Sequence, residues 1–287
     1  MTDLQQIIED LTQEAALIQI QGRSLRPDEI ARVQAIYEAL PHLKLALEIL
    51  ETKEQSTLIT YKIVTDLDGK LKQAARVACS FWNRFVLPSY SVVIRLGIFK
   101  SNSNTIARAY KPYERDGVHY GVVEFNTKYL KSFSRNEISG TIIHEIGHTL
   151  GIGWNDWEAL FDKTSGKFTD SAIKAVGDLK NMRVETDYGQ GTQYSHWDEQ
   201  RHDEELMTGF KDAIENVLPV TIDVMALLGH QIAEKLSQQT DLNTLLDSLA
   251  QITFSQHAEA KALNLDHFEE TEIWENVPHD QPIKKKK

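Results

Sequence analysis

Gly140-Thr141-Ile142-Ile143-His144-Glu145-Ile146-Gly147-His148-Thr149-Leu150-Gly151 is the stretch on which the reading of this chain turns. It carries His-Glu-x-x-His with a glycine three residues further on. Positions i and i+4 of a helix share one face, so His144 and His148 can present two imidazoles to a single metal ion. Glu145 stands between them, placed to serve as general base toward a water at that metal. Zinc-dependent peptide hydrolysis is the chemistry this pattern predicts.

The ends of the motif helix are marked independently of its histidines. Ser134-x-x-Glu137 is a capping box that starts a helix near Arg135, and Gly151 suits the residue that ends one. Working outward, Thr57 to Val64 is β-branched and reads as a strand, followed by the turn signal Asp68-Gly69. A helix is expected from Lys70 to Phe85. Ser91–Phe99 and Tyr120–Phe125 read as further strands, joined by a loop with Pro112 and Asp116-Gly117. The strand at Gly121–Phe125 is read as the sheet edge on which an extended peptide pairs.

Residues 1 to about 55 carry helical periodicity, with Pro27-Asp28-Glu29 opening a second helix that Pro41 interrupts or kinks. Downstream, a short helix is expected at Ser171–Leu179 and another from Val220 to Leu228, stopped by Gly229. Helical patterning resumes from 231 to about 262, and a polar, loosely ordered tail follows.

A catalytic zinc keeps three protein ligands and one open position. The compact pattern places the third histidine three residues after the glycine, where this chain has Trp154. Asp156, Glu158 and Glu185 are carboxylate candidates, and His202 is an imidazole alternative. The stronger candidate is His196 in Tyr194-Ser195-His196-Trp197, followed by Glu204-Glu205-Leu206-Met207-Thr208-Gly209 with a methionine in a turn. Trp154, Trp157 and Trp197 either line a cleft or pack beneath the segment between the two histidine sites.

The order His-Glu-x-x-His-x-x-Gly, an insertion, Ser-His-Trp, then Glu-Leu-Met-Thr-Gly resembles the leishmanolysin-like metzincin proteases, over roughly residues 57 to 230. In that family an insertion displaces the third zinc histidine downstream. The resemblance implies one catalytic Zn2+ bound by His144, His148 and His196, with Glu145 as general base and Met207 forming the Met-turn beneath the metal. It also implies an α+β fold, with a twisted mixed sheet, an active-site helix and a helical C-terminal subdomain.

Composition bounds the alternatives. With 31 basic against 42 acidic residues and a net charge of -11, the chain lacks the clustered basic face of a nucleic-acid binder. The basic run Lys284–Lys287 reads as a solvated tail or an expression scar. A single cysteine, Cys79, excludes an internal disulfide and sits among Ala74, Ala75, Val77 and Phe81, where it reads as core. No stretch approaches the length of a membrane span. Met1–Asp10 has no signal-peptide pattern, so cytoplasmic residence or a non-classical export route is expected.

The expected organisation is an N-terminal helical region over 1-56 (a removable prosegment or an interaction region), a metzincin-like domain over 57-230, and a helical extension with polar tail over 231-287. The expected activity is that of a monomeric zinc endopeptidase acting on peptide or protein substrates. The alternative is a catalytically inactive binding protein on the same scaffold.

Overall fold

Runs of β-branched residues separated by glycine turns build an open mixed sheet in the computed structural model, which describes residues 3–19, 25–55, 58–252 and 279–282. The chain divides into two units, Met1–Ser56 and Thr57–Lys287. In the first, α1 (Asp3–Gln19) packs on α2 (Pro27–Gln55) through Ile8, Ala15, Ile36 and Leu40, with Leu11 beside them. Glu14 and Arg32 form an ion pair between the two helices. Pro41 lies inside a continuous α2 and does not interrupt it, contrary to one reading of the sequence.

The second unit begins with β1 (Ile59–Ile63), α3 (Lys70–Phe85), β2 (Val86–Leu87), β3 (Val92–Phe99), β4 (Thr105–Arg115) and β5 (Val118–Asn126). After these come α4 (Thr127–Leu130), α5 (Arg135–Thr149), α6 (Asn155–Glu158) and α7 (Asp170–Ala175), then β6 (Asn216–Val217) and α8 (Pro219–Asp223). The described chain ends with β7 (Gln231–Ile232), β8 (Thr240–Asp241), α9 (Leu242–Ile252) and β9 (His279–Pro282). The unit is mixed α and β, as the α+β expectation requires.

Five strands form the main sheet in the order β1-β3-β5-β4-β9. β1, β3 and β5 run parallel, with Tyr61 opposite Ile94 and Ile94 opposite Gly121. β4 is antiparallel to β5, and β9 is antiparallel to β4. β5 is therefore an inner strand, and its reading as the peptide-accepting edge is corrected. Strand order depends on contacts far apart in sequence, which local patterning does not carry.

The segment read as a loop between 99 and 120 is mostly the strand β4. Its register shifts between Tyr110 and Tyr113, so Pro112 sits in a bulge where no ladder hydrogen bond is required of it. Asp116 and Gly117, with φ of 52° and 75°, form the two-residue turn into β5. The helix expected from 231 begins only at Leu242; residues 253–262 lie outside the described residues.

α3 and α5 pack against each other and the sheet. Leu71, Ala74, Ala78, Phe81, Trp82 and Phe85 of α3 are fully buried, together with Ile142, Ile143 and Ile146 of α5. Burying aromatic and branched side chains of this size stabilises the fold by about 1.5–3 kcal/mol each. The Trp82 indole N–H donates to the Ile143 carbonyl at 2.9 Å, fixing the rotation of α5 against α3. Among the described residues no helix is long and apolar enough to cross a membrane.

Candidate metal centre

The capping box expected at the start of α5 is formed: Ser134 Oγ accepts from the Glu137 N–H and the Glu137 carboxylate accepts from the Ser134 N–H. At the other end Gly151 takes a φ of 123°, a value that excludes most side chains. These two local devices set where the helix lies and hence where His144 and His148 point.

His144, His148 and His196 come together and are wholly buried. Their Nε2 atoms lie 3.1 to 3.2 Å from one another. Each Nδ1 faces a backbone carbonyl: Leu206 at 2.8 Å for His144, Ile152 at 3.0 Å for His148 and Thr192 at 2.9 Å for His196. A carbonyl only accepts, so it selects the tautomer with the proton on Nδ1 and leaves Nε2 as a bare lone pair. Three lone pairs then converge on one buried point, an arrangement that repels unless a cation stands among them.

The spacing fits such a cation. Nitrogens bound tetrahedrally at about 2.0–2.1 Å stand about 3.3–3.4 Å apart, close to the separations found. Burial, followed by the neighbouring His196, holds the His144 imidazole well below the usual histidine range and keeps it neutral. A neutral imidazole is the form that ligates a metal. The group could therefore hold a metal ion.

Glu145 is fully buried one residue after His144. Met207 is also fully buried, and its side chain packs on α5 at Gly147. A Cβ at Gly147 would stand 2.8 Å from the Met207 sulfur, so the glycine of the motif is what lets the methionine approach. The loop from Glu204 to Thr208 turns tightly, with Glu204 at a φ of 64°.

The remaining candidate ligands go elsewhere. Glu185 is buried, but its carboxylate accepts from the N–H groups of Asp187 and Glu199 and pins the loop leading to His196. Glu158 pairs with Lys163, and His202 accepts from the Arg183 N–H. None of these, nor Asp156, joins the histidine group among the described residues. Cys79 is fully buried in α3 and also stands outside it.

The tryptophans divide. Trp157 and Trp197 are fully buried, their ring centroids 5.1 Å apart, with Phe161 and Phe168 around Trp157. They form the core of the segment that separates the two histidine sites. Trp154 instead donates its indole N–H to the His148 carbonyl at 2.7 Å and lines an open cleft of about 410 Å³ with Lys111, Glu158, Tyr194 and Ser195. The residue that stands where the compact pattern has its third histidine thus tethers the end of the helix that carries His144 and His148.

His230 is buried and meets the C-terminal end of α5, its Nε2 at 2.8 Å from the Leu150 carbonyl. Glu205 escaped notice in the sequence: an acidic residue in a turn reads as solvated, yet it is buried against three hydrogen-bond donors. Comparison with protein-family models gives no match for this chain, and comparison with curated proteins gives none either.

Proposed function

We propose that the chain is a zinc-dependent endopeptidase of the leishmanolysin-like metzincin type. The observation that carries this reading is the set of three buried Nε2 atoms 3.1 to 3.2 Å apart, with Glu145 on the same helix as two of them. Bound there, Zn2+ would supply a Lewis acid that polarises the scissile carbonyl and acidifies a water molecule.

The chain's own residues supply the rest. His144, His148 and His196 would hold the metal, each ring oriented by a backbone carbonyl. The Glu145 carboxylate removes a proton from the attacking water and returns it to the leaving amine nitrogen. Met207 packs against Gly147, between the two histidines of α5. The cleft that Trp154 lines also includes Ser195, the residue before His196.

The test pairs zinc analysis with cleavage of a peptide library by wild type and Glu145→Ala. Wild type should hold about one zinc and cleave, with cleavage abolished by a chelator. Glu145→Ala should keep zinc and lose cleavage. Full activity of Glu145→Ala refutes the mechanism, and zinc without cleavage in wild type returns a binding protein on the same scaffold.

A further inference from the structure

Glu205 touches none of the three histidines, yet two of them are fixed through it. One carboxylate oxygen accepts the Met207 N–H at 2.6 Å, and the other accepts the Thr221 hydroxyl at 2.6 Å and the Leu218 N–H at 3.4 Å. These donors come from the Met207 turn and from the N-cap and first turn of α8, so the carboxylate ties that turn to α8. The side chain is almost wholly buried, with the residue 4 % exposed.

Two routes lead from this hub to the metal centre. The turn it holds presents the Leu206 carbonyl that receives the His144 Nδ1 proton at 2.8 Å. On the other side, the Thr221 hydroxyl accepts the Trp197 indole N–H at 3.0 Å, and the Trp197 backbone N–H donates to the Met207 carbonyl at 3.0 Å. Trp197 adjoins His196, so the same carboxylate braces the turn under one imidazole and the residue beside another.

An amide would not do this equally well. Three donors converge on Glu205, and a carboxylate offers two oxygens that accept and no hydrogen that conflicts. An amide in its place turns an N–H₂ toward one of the donors. Burying a charged group is costly unless such bonds compensate it, so a carboxylate kept in this position has a use that an apolar residue would not serve.

We infer that Glu205 is the positioning residue of the metal centre, holding the Met207 turn and Trp197 so that His144 and His196 meet the ion at fixed angles. The inference rests on the metal-centre reading above and adds the residue that tunes it. Residues oriented this way behind metal ligands change affinity by about 10- to 100-fold when altered.

The experiment measures zinc affinity and the visible spectrum of the cobalt-substituted protein for full-length wild type, Glu205→Gln and Thr221→Val. Circular dichroism of each metal-free protein checks folding. Glu205→Gln should weaken zinc by about 10- to 100-fold and shift the cobalt bands while the metal-free fold is retained. Thr221→Val, which cuts the link to Trp197 and leaves the Met207 N–H satisfied, should shift both readouts in the same direction by less. If Glu205→Gln fails to fold, Thr221→Val alone decides. Wild-type affinity and an unchanged cobalt spectrum in the folded variants overturn the inference while leaving the metal centre standing. A wild-type chain that takes up no zinc overturns both.

Discussion

Gly209 lies directly against Thr192: a methyl group added at Gly209 would overlap the Thr192 side chain, and the Thr192 carbonyl is the group that meets His196 Nδ1. The turn after Met207 and the loop before His196 therefore control one imidazole together, although 17 positions separate them. Gly209→Ala should displace Thr192 and weaken zinc binding by about 10- to 100-fold, the range for a partner behind a ligand. Removing the obstructing methyl with Thr192→Ser in the same chain should recover most of that loss. Equal affinities in the single and double variants would contradict the contact.

Removal of a ligand should cost more than removal of its support. His196→Ala leaves two imidazoles and an opened cavity, so its zinc dissociation constant should rise beyond the roughly 100-fold ceiling for a supporting residue. Equilibrium dialysis against a competing chelator measures this. An unchanged metal content would refute the assignment of His196.

A third expectation concerns acidity. Burial, the largest influence, lifts the Glu205 carboxyl to about 7 from 4.5; Thr221, Met207 and Leu218 oppose the rise, and the like charge of Glu215 adds to it. A carboxyl raised on folding binds its proton more tightly in the folded chain than in the unfolded one. Its contribution to stability is complete below about pH 4.5 and is lost as pH rises through 7. Between pH 5 and 8 the metal-free wild type should lose up to about 3 kcal/mol more unfolding free energy than Glu205→Gln. Denaturant titrations at several pH values would show it, and parallel curves for the two proteins would count against it.

Cys79 should be inert. Burial pushes its thiol well above the usual cysteine range, and the packed core around α3 covers it completely. Because only a thiolate reacts readily, iodoacetamide at pH 8 should leave the native chain unmodified for hours and alkylate it fully in denaturant. Rapid labelling of the native chain would show that α3 opens.

What the sequence reveals about this molecule follows the range of the interactions involved. The ends of α5 are legible because Ser134, Glu137 and Gly151 act within a turn of the helix they bound. The gathering of His196 with His144 and His148 is legible because few side chains suit a metal, and Trp154 excludes the nearer position. β4 is obscured because Pro112 breaks its alternation, and only the bulge between Tyr110 and Tyr113 shows how the strand accommodates it. The inner place of β5 and the burial of Glu205 arise from partners distant in sequence, so neither leaves a local mark.

β9 gives the assembly of the sheet an order in time. β1, β3, β4 and β5 are all made by residue 126, whereas the strand that flanks Thr105–Ala109 comes from residues 279–282. During synthesis the outer rim of β4 stays open while more than half the chain is added, although its inner neighbours are already present. A rim with unpaired N–H and C=O groups is a template for any extended segment that reaches it first. Until residues 279–282 are in place, an extended segment of another copy of the chain can pair there instead.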